Sequence, residues 1–159
     1  MSGTLTSTRL TLVPATPEQL LAKWQGPDGT FPPGISPLWI EQMLASRGPD
    51  PWVLGYLAFH RHSNVPIGSG GFKGAPGPDG IVEIAYGTDE EFRGLGYATE
   101  VAEALVTFAF ADSRVRLVCA HTLPGANASA RVLAKCGFSR VPDVVDPEDG
   151  PVWRFERGR

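Results

Sequence analysis

An excess of basic charge is the first thing this sequence lacks. Fourteen lysines and arginines stand against seventeen aspartates and glutamates, giving a net charge of −3. A nucleic-acid surface needs a basic patch, so this balance argues against one. Long apolar runs are missing as well: none approaches the roughly 20 residues of a membrane span. Met1-Ser2-Gly3-Thr4 has no basic segment backed by an apolar core, so no secretory leader is expected. These absences point to the cytoplasm. The two cysteines, Cys119 and Cys136, have neither a CxxC nor a cysteine–histidine spacing. No metal is expected on that count, and both thiols read as small, reduced, buried side chains. No Gly-Lys-Ser or Gly-Lys-Thr occurs, which excludes the P-loop. There is no internal repeat and no block of like charge.

What is present is a soluble composition of the size of one domain, residues 1–159. Apolar residues make up 42% and charged ones 19%, enough to build a core. Glycine and proline gather at 26–37, 48–51, 74–80 and 142–151, which read as turns and loops.

Alternation over residues 4–13 predicts a first strand. Thr16-Pro17-Glu18 supplies an N-cap, a proline at the first helical position and an acidic first turn, so a helix runs to about Trp24. Residues 26–37 form a long loop of the kind often used as a lid. Ser36-Pro37 caps a second helix over 38–46. Residues 52–62 and 65–73 read as a hairpin around Ser63-Asn64. A strand over 81–87 follows. After a Gly-rich turn comes a helix with Ala98, Val101, Ala102, Leu105, Phe108 and Ala109 on one face. A strand over 115–122 completes a strand–helix–strand unit, for which a right-handed crossover and parallel pairing are expected. A helix over 127–136 is stopped by Gly137, and strands over 138–145 and 151–155 close the chain. The fold class is α/β: a mixed sheet of six or seven strands with about four helices.

The turn itself is Arg93-Gly94-Leu95-Gly96-Tyr97-Ala98-Thr99-Glu100. Two glycines at a helix start leave N–H groups unpaired at the positive end of the dipole, an arrangement suited to phosphate. The dinucleotide fingerprint is a poor match. Thr99 takes the place of its third glycine, and Thr88-Asp89-Glu90-Glu91-Phe92 separates the turn from the strand.

The segment from Glu91 through Ala98 resembles the acyl-CoA pyrophosphate loop of the GNAT N-acetyltransferases, Gln/Arg-x-x-Gly-x-Gly/Ala, with Glu91 where Gln or Arg is usual. Thr8-Arg9-Leu10-Thr11-Leu12 is similar to the family's opening strand. Pro66-Ile67-Gly68-Ser69-Gly70-Gly71-Phe72 is similar to its third strand, and Val82-Glu83-Ile84-Ala85-Tyr86 to its fourth. His121-Thr122-Leu123-Pro124 and the run from Ser129 to Phe138 resemble the end of the fifth strand and the helix after it. The resemblance covers nearly the whole chain and is nearest to the branch of ribosomal-protein alanine N-acetyltransferases.

It implies a GNAT fold whose fourth and fifth strands splay apart, with acetyl-CoA as co-substrate and no metal. The pantetheine arm would lie along Ile84, Ala85 and Tyr86, where a strand N–H would polarise the thioester carbonyl. The pyrophosphate would sit on Arg93, Gly94, Leu95, Gly96, Tyr97 and Ala98. The implied reaction is direct attack by a primary amine in a ternary complex. The acceptor would be a protein N-terminus or a small-molecule amine, and a homodimer is common among relatives. A non-catalytic acyl-CoA-binding module and a nicotinamide-binding domain stand as alternatives.

Among single residues, Glu83 lies mid-strand between apolar neighbours, where a carboxylate must be paired or face a wet cleft. It is the candidate to take the amine proton; the alternative is a structural pairing, for example with Arg9. Ser129 matches the serine of the branch's Asn-x-x-Ser pattern, whose hydroxyl would protonate the leaving thiolate; otherwise it is a helix-start hydroxyl bonding the backbone. Leu133 stands where many relatives carry a tyrosine acid. Asn127 lies one position after Ala126, where the family's asparagine belongs, so it is either a cofactor contact or a helix cap. Arg93 is a candidate phosphate contact or a solvated residue, and Glu100 suits a helix first turn. Trp24, Phe31, Trp39 and Trp52 read as core or as acceptor-site walls. His60 and His62 share a strand face without forming a metal site, and His121 is a candidate cleft residue. Asp143, Asp146, Glu148 and Asp149 read as a solvated hairpin loop.

Overall fold

A computed structural model describes residues 3–33, 35–125, 127–146 and 150–159. Eight strands form one sheet in the order β1-β2-β3-β4-β5-β6-β8-β7. They are β1 (Leu5–Thr6), β2 (Leu10–Pro14), β3 (Tyr56–His60), β4 (Pro66–Phe72), β5 (Ile81–Thr88), β6 (Leu117–Thr122), β7 (Ser139–Asp146) and β8 (Gly150–Gly158). Four helices accompany them: α1 (Pro17–Trp24), α2 (Pro37–Ala45), α3 (Tyr97–Ala111) and α4 (Ala128–Lys135).

The sheet has one strand more than the alternation suggested, because residues 4–13 fold into two strands rather than one. Ser7 N–H donates to Leu10 O at 2.9 Å, and Leu10 N–H donates to Ser7 Oγ at 3.1 Å. These bonds close a hairpin that pairs Leu5 with Leu12. The family's fourth and fifth strands are therefore β5 and β6 here. The strand expected from Trp52 begins only at Tyr56, because the N–H groups of Val53 and Leu54 both turn back to Asp50 O. Trp52 instead packs in the core on Phe72 and Phe108, at 4.6 and 5.0 Å between ring centroids.

Local signals placed the helices well. Thr16 Oγ1 accepts from Gln19 N–H and Gln19 Oε1 accepts from Thr16 N–H, a full capping box with Pro17 inside it. On α3 the residues Val101, Ala102, Leu105 and Ala109 are completely buried against the sheet, as the 3.6-residue period requires.

Two cores result. The larger joins α3 and α4 to one face of the sheet through Tyr56, Ala58, Val82, Ile84, Val118 and Ala120. The smaller joins α1 and α2 around Leu20, Met43 and Leu54, with Leu57 packed on it. Side chains alternate along a strand, so Tyr56 and Leu57 point to opposite faces. By the same alternation Glu83 and Ala85 face the α1/α2 side, because Val82 and Ile84 belong to the α3 core.

Candidate active site

The sheet forks at its centre. β5 and β6 run parallel, as expected of the crossover, but pairing stops after Ile81↔Leu117, Val82↔Val118 and Glu83↔Cys119. Beyond that point β5 pairs only with β4, from Ile84↔Phe72 to Thr88↔Gly68, while β6 pairs only with β8. The direction of the free backbone groups follows from the register. Lys73 N–H donates to Glu83 O at one end of the β4–β5 ladder, and Asp89 N–H donates to Ile67 O at the other. In an unbroken antiparallel register this sets the odd-numbered residues of β5 toward β4 and the even-numbered ones toward the opposite edge. Ile84 thus sits at the apex of the fork, and the main chain of Tyr86 faces the gap. Ala85 turns its own main chain to β4; its share of any contact is its exposed side chain.

Below the fork lies the Gly-rich turn. A short 3₁₀ segment, Glu90–Phe92, carries the chain from β5 to Arg93. Gly94 and Gly96 both have positive φ, 78° and 85°, and Gly96 is the N-cap of α3, with no side-chain cap. The first N–H groups of α3, from Tyr97 and Ala98, have no acceptor within the helix. A Cβ built on Gly94 meets nothing within 4 Å, so the turn is open outward.

The loop is tied from behind. Arg9 donates through Nη2 to Leu95 O at 2.9 Å and lies 4.3 Å from the Tyr97 ring centroid. Glu100 holds Arg9 in place, accepting from its N–H at 2.9 Å, from its Nε, and from Ser7 Oγ at 2.6 Å. Burial pushes the Glu100 carboxyl up, but the bonds from Ser7 and Arg9 and the guanidinium charge outweigh it and hold the group below its ordinary value. Arg9 is therefore the partner of Glu100, not of Glu83, and Glu100 does more than favour the helix dipole.

Glu83, Tyr86, His121, Ser129 and Leu133 all line one small cavity of about 120 Å³ at the fork. The two candidate catalytic residues, Glu83 and Ser129, thus meet in one space, from β5 and from the first turn of α4. Glu83 Oε2 lies 3.1 Å from Lys73 Nζ and 2.9 Å from His121 Nδ1. The ring N–H is not aligned on that oxygen, and buried Nδ1 has no hydrogen-bond partner among the described residues. His121 therefore becomes an ion-pair partner only when it is protonated. Tyr86 Oη donates to Ser129 O at 3.5 Å, a long bond, and burial pushes the Tyr86 phenol well above its ordinary range. The Ser129 hydroxyl makes no hydrogen bond among the described residues. Asn127 caps α4: its Oδ1 accepts from Ala130 N–H at 2.9 Å and its Nδ2 donates to Leu123 O at 2.8 Å. Ala126 lies outside the described residues, as do Glu148 and Asp149 of the hairpin loop.

On the α1/α2 face Glu83 also borders a wide cleft of about 840 Å³. Trp24 and Trp39 line it, Lys73, Ala85, Tyr86 and Arg93 belong to its lining, and Trp52 does not. Phe31 packs on the smaller core. Lys73 and the pairing of Glu83 with His121 were not readable from the sequence. The only hint was that Glu83 stands in an apolar run and His121 ends a strand whose neighbour is β5.

Both thiols are buried, and burial pushes them up, Cys119 to about 11 and Cys136 to about 12. No helix among the described residues is long and apolar enough to cross a membrane, and no group of three metal-binding side chains was found among them.

Residues 9–139 match the acetyltransferase (GNAT) domain family. The chain is 30% identical over 96 residues to the uncharacterized N-acetyltransferase YjdG of Bacillus subtilis; the match covers 58% of this chain and 53% of that protein, so the chain spans about half the length of this relative. Among solved structures, the ribosomal L7/L12 alpha-N-protein acetyltransferase RimL, in complex with coenzyme A, superposes with a TM-score of 0.70 at 19% identity, covering 98% of this chain and 97% of that one. The aminoglycoside acetyltransferase AAC(6')-Ib, in complex with ribostamycin and coenzyme A, superposes with a TM-score of 0.68 at 21% identity, covering 95% and 94%.

Proposed function

Because the chain belongs to the GNAT acetyltransferase family, we propose that it is a cytoplasmic, acetyl-CoA-dependent N-acetyltransferase acting on a primary amine. The observation that carries this reading is the forked sheet, with Glu83 and Ser129 on the walls of one cavity at the fork and Glu83 also on the wide cleft behind it. The Gly94–Gly96 turn and the first N–H groups of α3 bind the pyrophosphate, with Arg93 beside them. The gap-facing main chain of Ile84 and Tyr86 aligns the pantetheine as an added strand, much as a β-edge takes up a peptide.

Acetyl-CoA supplies an activated thioester carbonyl. Along that edge a strand N–H polarises it, and the amine arrives from the cleft; positioning and a preorganised donor provide most of the acceleration. Glu83, fixed by Lys73, accepts the proton of the attacking amine, directly or through water. Ser129 delivers a proton to the departing sulfur. Asn127 contributes by fixing the start of α4, which positions Ser129, whether or not it also touches the cofactor.

The test is thiol release from acetyl-CoA with and without a panel of amines and peptides. Glu83→Gln is expected to lower kcat by roughly 10²- to 10⁴-fold, the usual contribution of a general base, while the Kd for coenzyme A stays unchanged. An unaltered rate across pH would remove Glu83 from the mechanism. Coenzyme A binding with no amine-dependent thiol release would leave a binding module instead.

A further inference from the structure

Resting on the acetyltransferase reading, we propose that the acceptor is a primary monoamine carrying an apolar or aromatic body, and that polycationic amines are rejected. The cleft behind Glu83, about 840 Å³, has the volume of a site for a whole small molecule. Its walls include Leu20, Trp24, Leu38, Trp39 and Phe72. The one polar atom of the Trp39 ring, Nε1, already donates to Val53 O at 2.7 Å, so the indole offers carbon only. Leu38 is 61% exposed on α2 at this cleft, apolar surface available for a guest to cover.

The charges say the same. Two carboxylates line the cleft, Glu83 and Asp89, and the chain has supplied a cation to each. Lys73 Nζ lies 3.1 Å from Glu83 Oε2, and Lys23 Nζ lies 3.2 Å from Asp89 Oδ1. Lys23 also sits 5.2 Å from the Trp24 ring centroid, taking the place a substrate cation would want over that ring. Arg93 is the other cation of the lining besides Lys73, on the side given above to the cofactor's pyrophosphate. A polycation binds where several carboxylates are left uncompensated. Here both carboxylates of the cleft already have a cation, so each further ammonium beyond the reacting one would find no free anion and would meet Lys73, and like charges at close quarters reject a partner. One nitrogen goes to Glu83; the remainder of the molecule meets indoles and leucines.

The shared chemistry, an amine close to an apolar group, belongs both to free arylalkylamines and to peptides with an apolar first residue. The test therefore measures kcat/KM of the full chain for phenylethylamine and tryptamine, for Phe-first and Ser-first peptides, and for spermidine and kanamycin. Apolar monoamines or Phe-first peptides are expected to exceed spermidine and kanamycin by at least about tenfold, and whichever of the two leads identifies the source. Leu38→Glu, at an exposed position that leaves the core intact, removes apolar wall and adds an unpaired carboxylate; it is expected to shift the ratio of kanamycin to tryptamine upward by roughly tenfold. Spermidine or kanamycin equalling the apolar amines, Ser-first peptides leading the panel, or a ratio untouched by Leu38→Glu each overturn the assignment while leaving the acetyltransferase reading intact. Transfer to none of them overturns both.

Discussion

Two glycine-rich segments flank this site, and they are glycine for opposite reasons. In β4 the glycines are dictated by the protein itself. A Cβ on Gly68 would lie 2.2 Å from Gly87 O, one on Gly70 would lie 2.7 Å from Val101 Cγ1, and one on Gly71 would lie 2.9 Å from Gly55 Cα. These residues let α3 and the neighbouring strands close onto β4. At Gly94 the same imaginary atom meets nothing within 4 Å, although φ is 78°. The turn needs glycine for its backbone, and the space beside it is left to something other than the chain. A glycine whose Cβ would collide reports on packing; one whose Cβ would stand in the open, at the start of a helix with bare N–H groups, leaves room for the pyrophosphate proposed above.

That contrast breaks most visibly at Gly68. Gly68→Ala forces a methyl group into backbone and is expected to cost about 3 kcal/mol of stability in chemical denaturation, the upper range for overpacking, while the fraction still folded binds coenzyme A with unaltered Kd. Gly94→Ala is the complement. It should cost only about 1–2 kcal/mol, the penalty of a left-handed conformation for a residue with a Cβ, yet weaken coenzyme A at least about tenfold in calorimetric titration, since the methyl group would stand where the proposed pyrophosphate site lies. If Gly94→Ala binds as the parent does, the open space has no ligand and the comparison fails.

Glu100→Gln sharpens it from behind the loop. The substitution weakens the bonds to Ser7 and Arg9 and is expected to cost about 1.5 kcal/mol, the low end for hydrogen bonds to charged groups. Because the native carboxyl is held below its unfolded value, its contribution is present above that unfolded value. It is lost as pH falls through the native one. Unfolding midpoints of the parent should therefore drop more steeply than those of Glu100→Gln as pH falls below the ordinary glutamate range. The smallest effect is expected at Cys119 and Cys136. With both thiols raised to about 11 and 12 by burial, a thiol reagent at pH 8 should label neither until denaturant is added.

Much of this was legible in the sequence because the signals are local. Thr16 before Pro17, Ser36 before Pro37, Gly96 before α3 and Gly137 after α4 are decided within a turn of chain, and all stand where they were expected. The alternation that runs unbroken through Ser7 and Arg9 misled, because the Ser7–Leu10 turn that ends β1 is held from long range as well: Glu100, some ninety residues away, gathers Ser7 and Arg9 onto the head of α3. The site divides the same way. Glu83 was visible as a carboxylate in an apolar strand, and Ser129 only through the family resemblance. His121 was expected at the cleft, but its place beside Glu83, and Lys73 altogether, came only through the β4–β5 register and the short β5–β6 pairing. No periodicity announces where a parallel ladder stops.

The fork also has a consequence for how the protein breathes. Tyr86 and Thr88 present their amides to a side of β5 on which no strand follows. In the empty protein their hydrogens should trade with solvent quickly, although they lie at the middle of an eight-stranded sheet, while amides of β5 that point at β4, such as those of Ala85 and Gly87, stay slow. A molecule that docks along the gap should silence that exchange on alternate residues only, leaving a two-residue rhythm in the protection pattern.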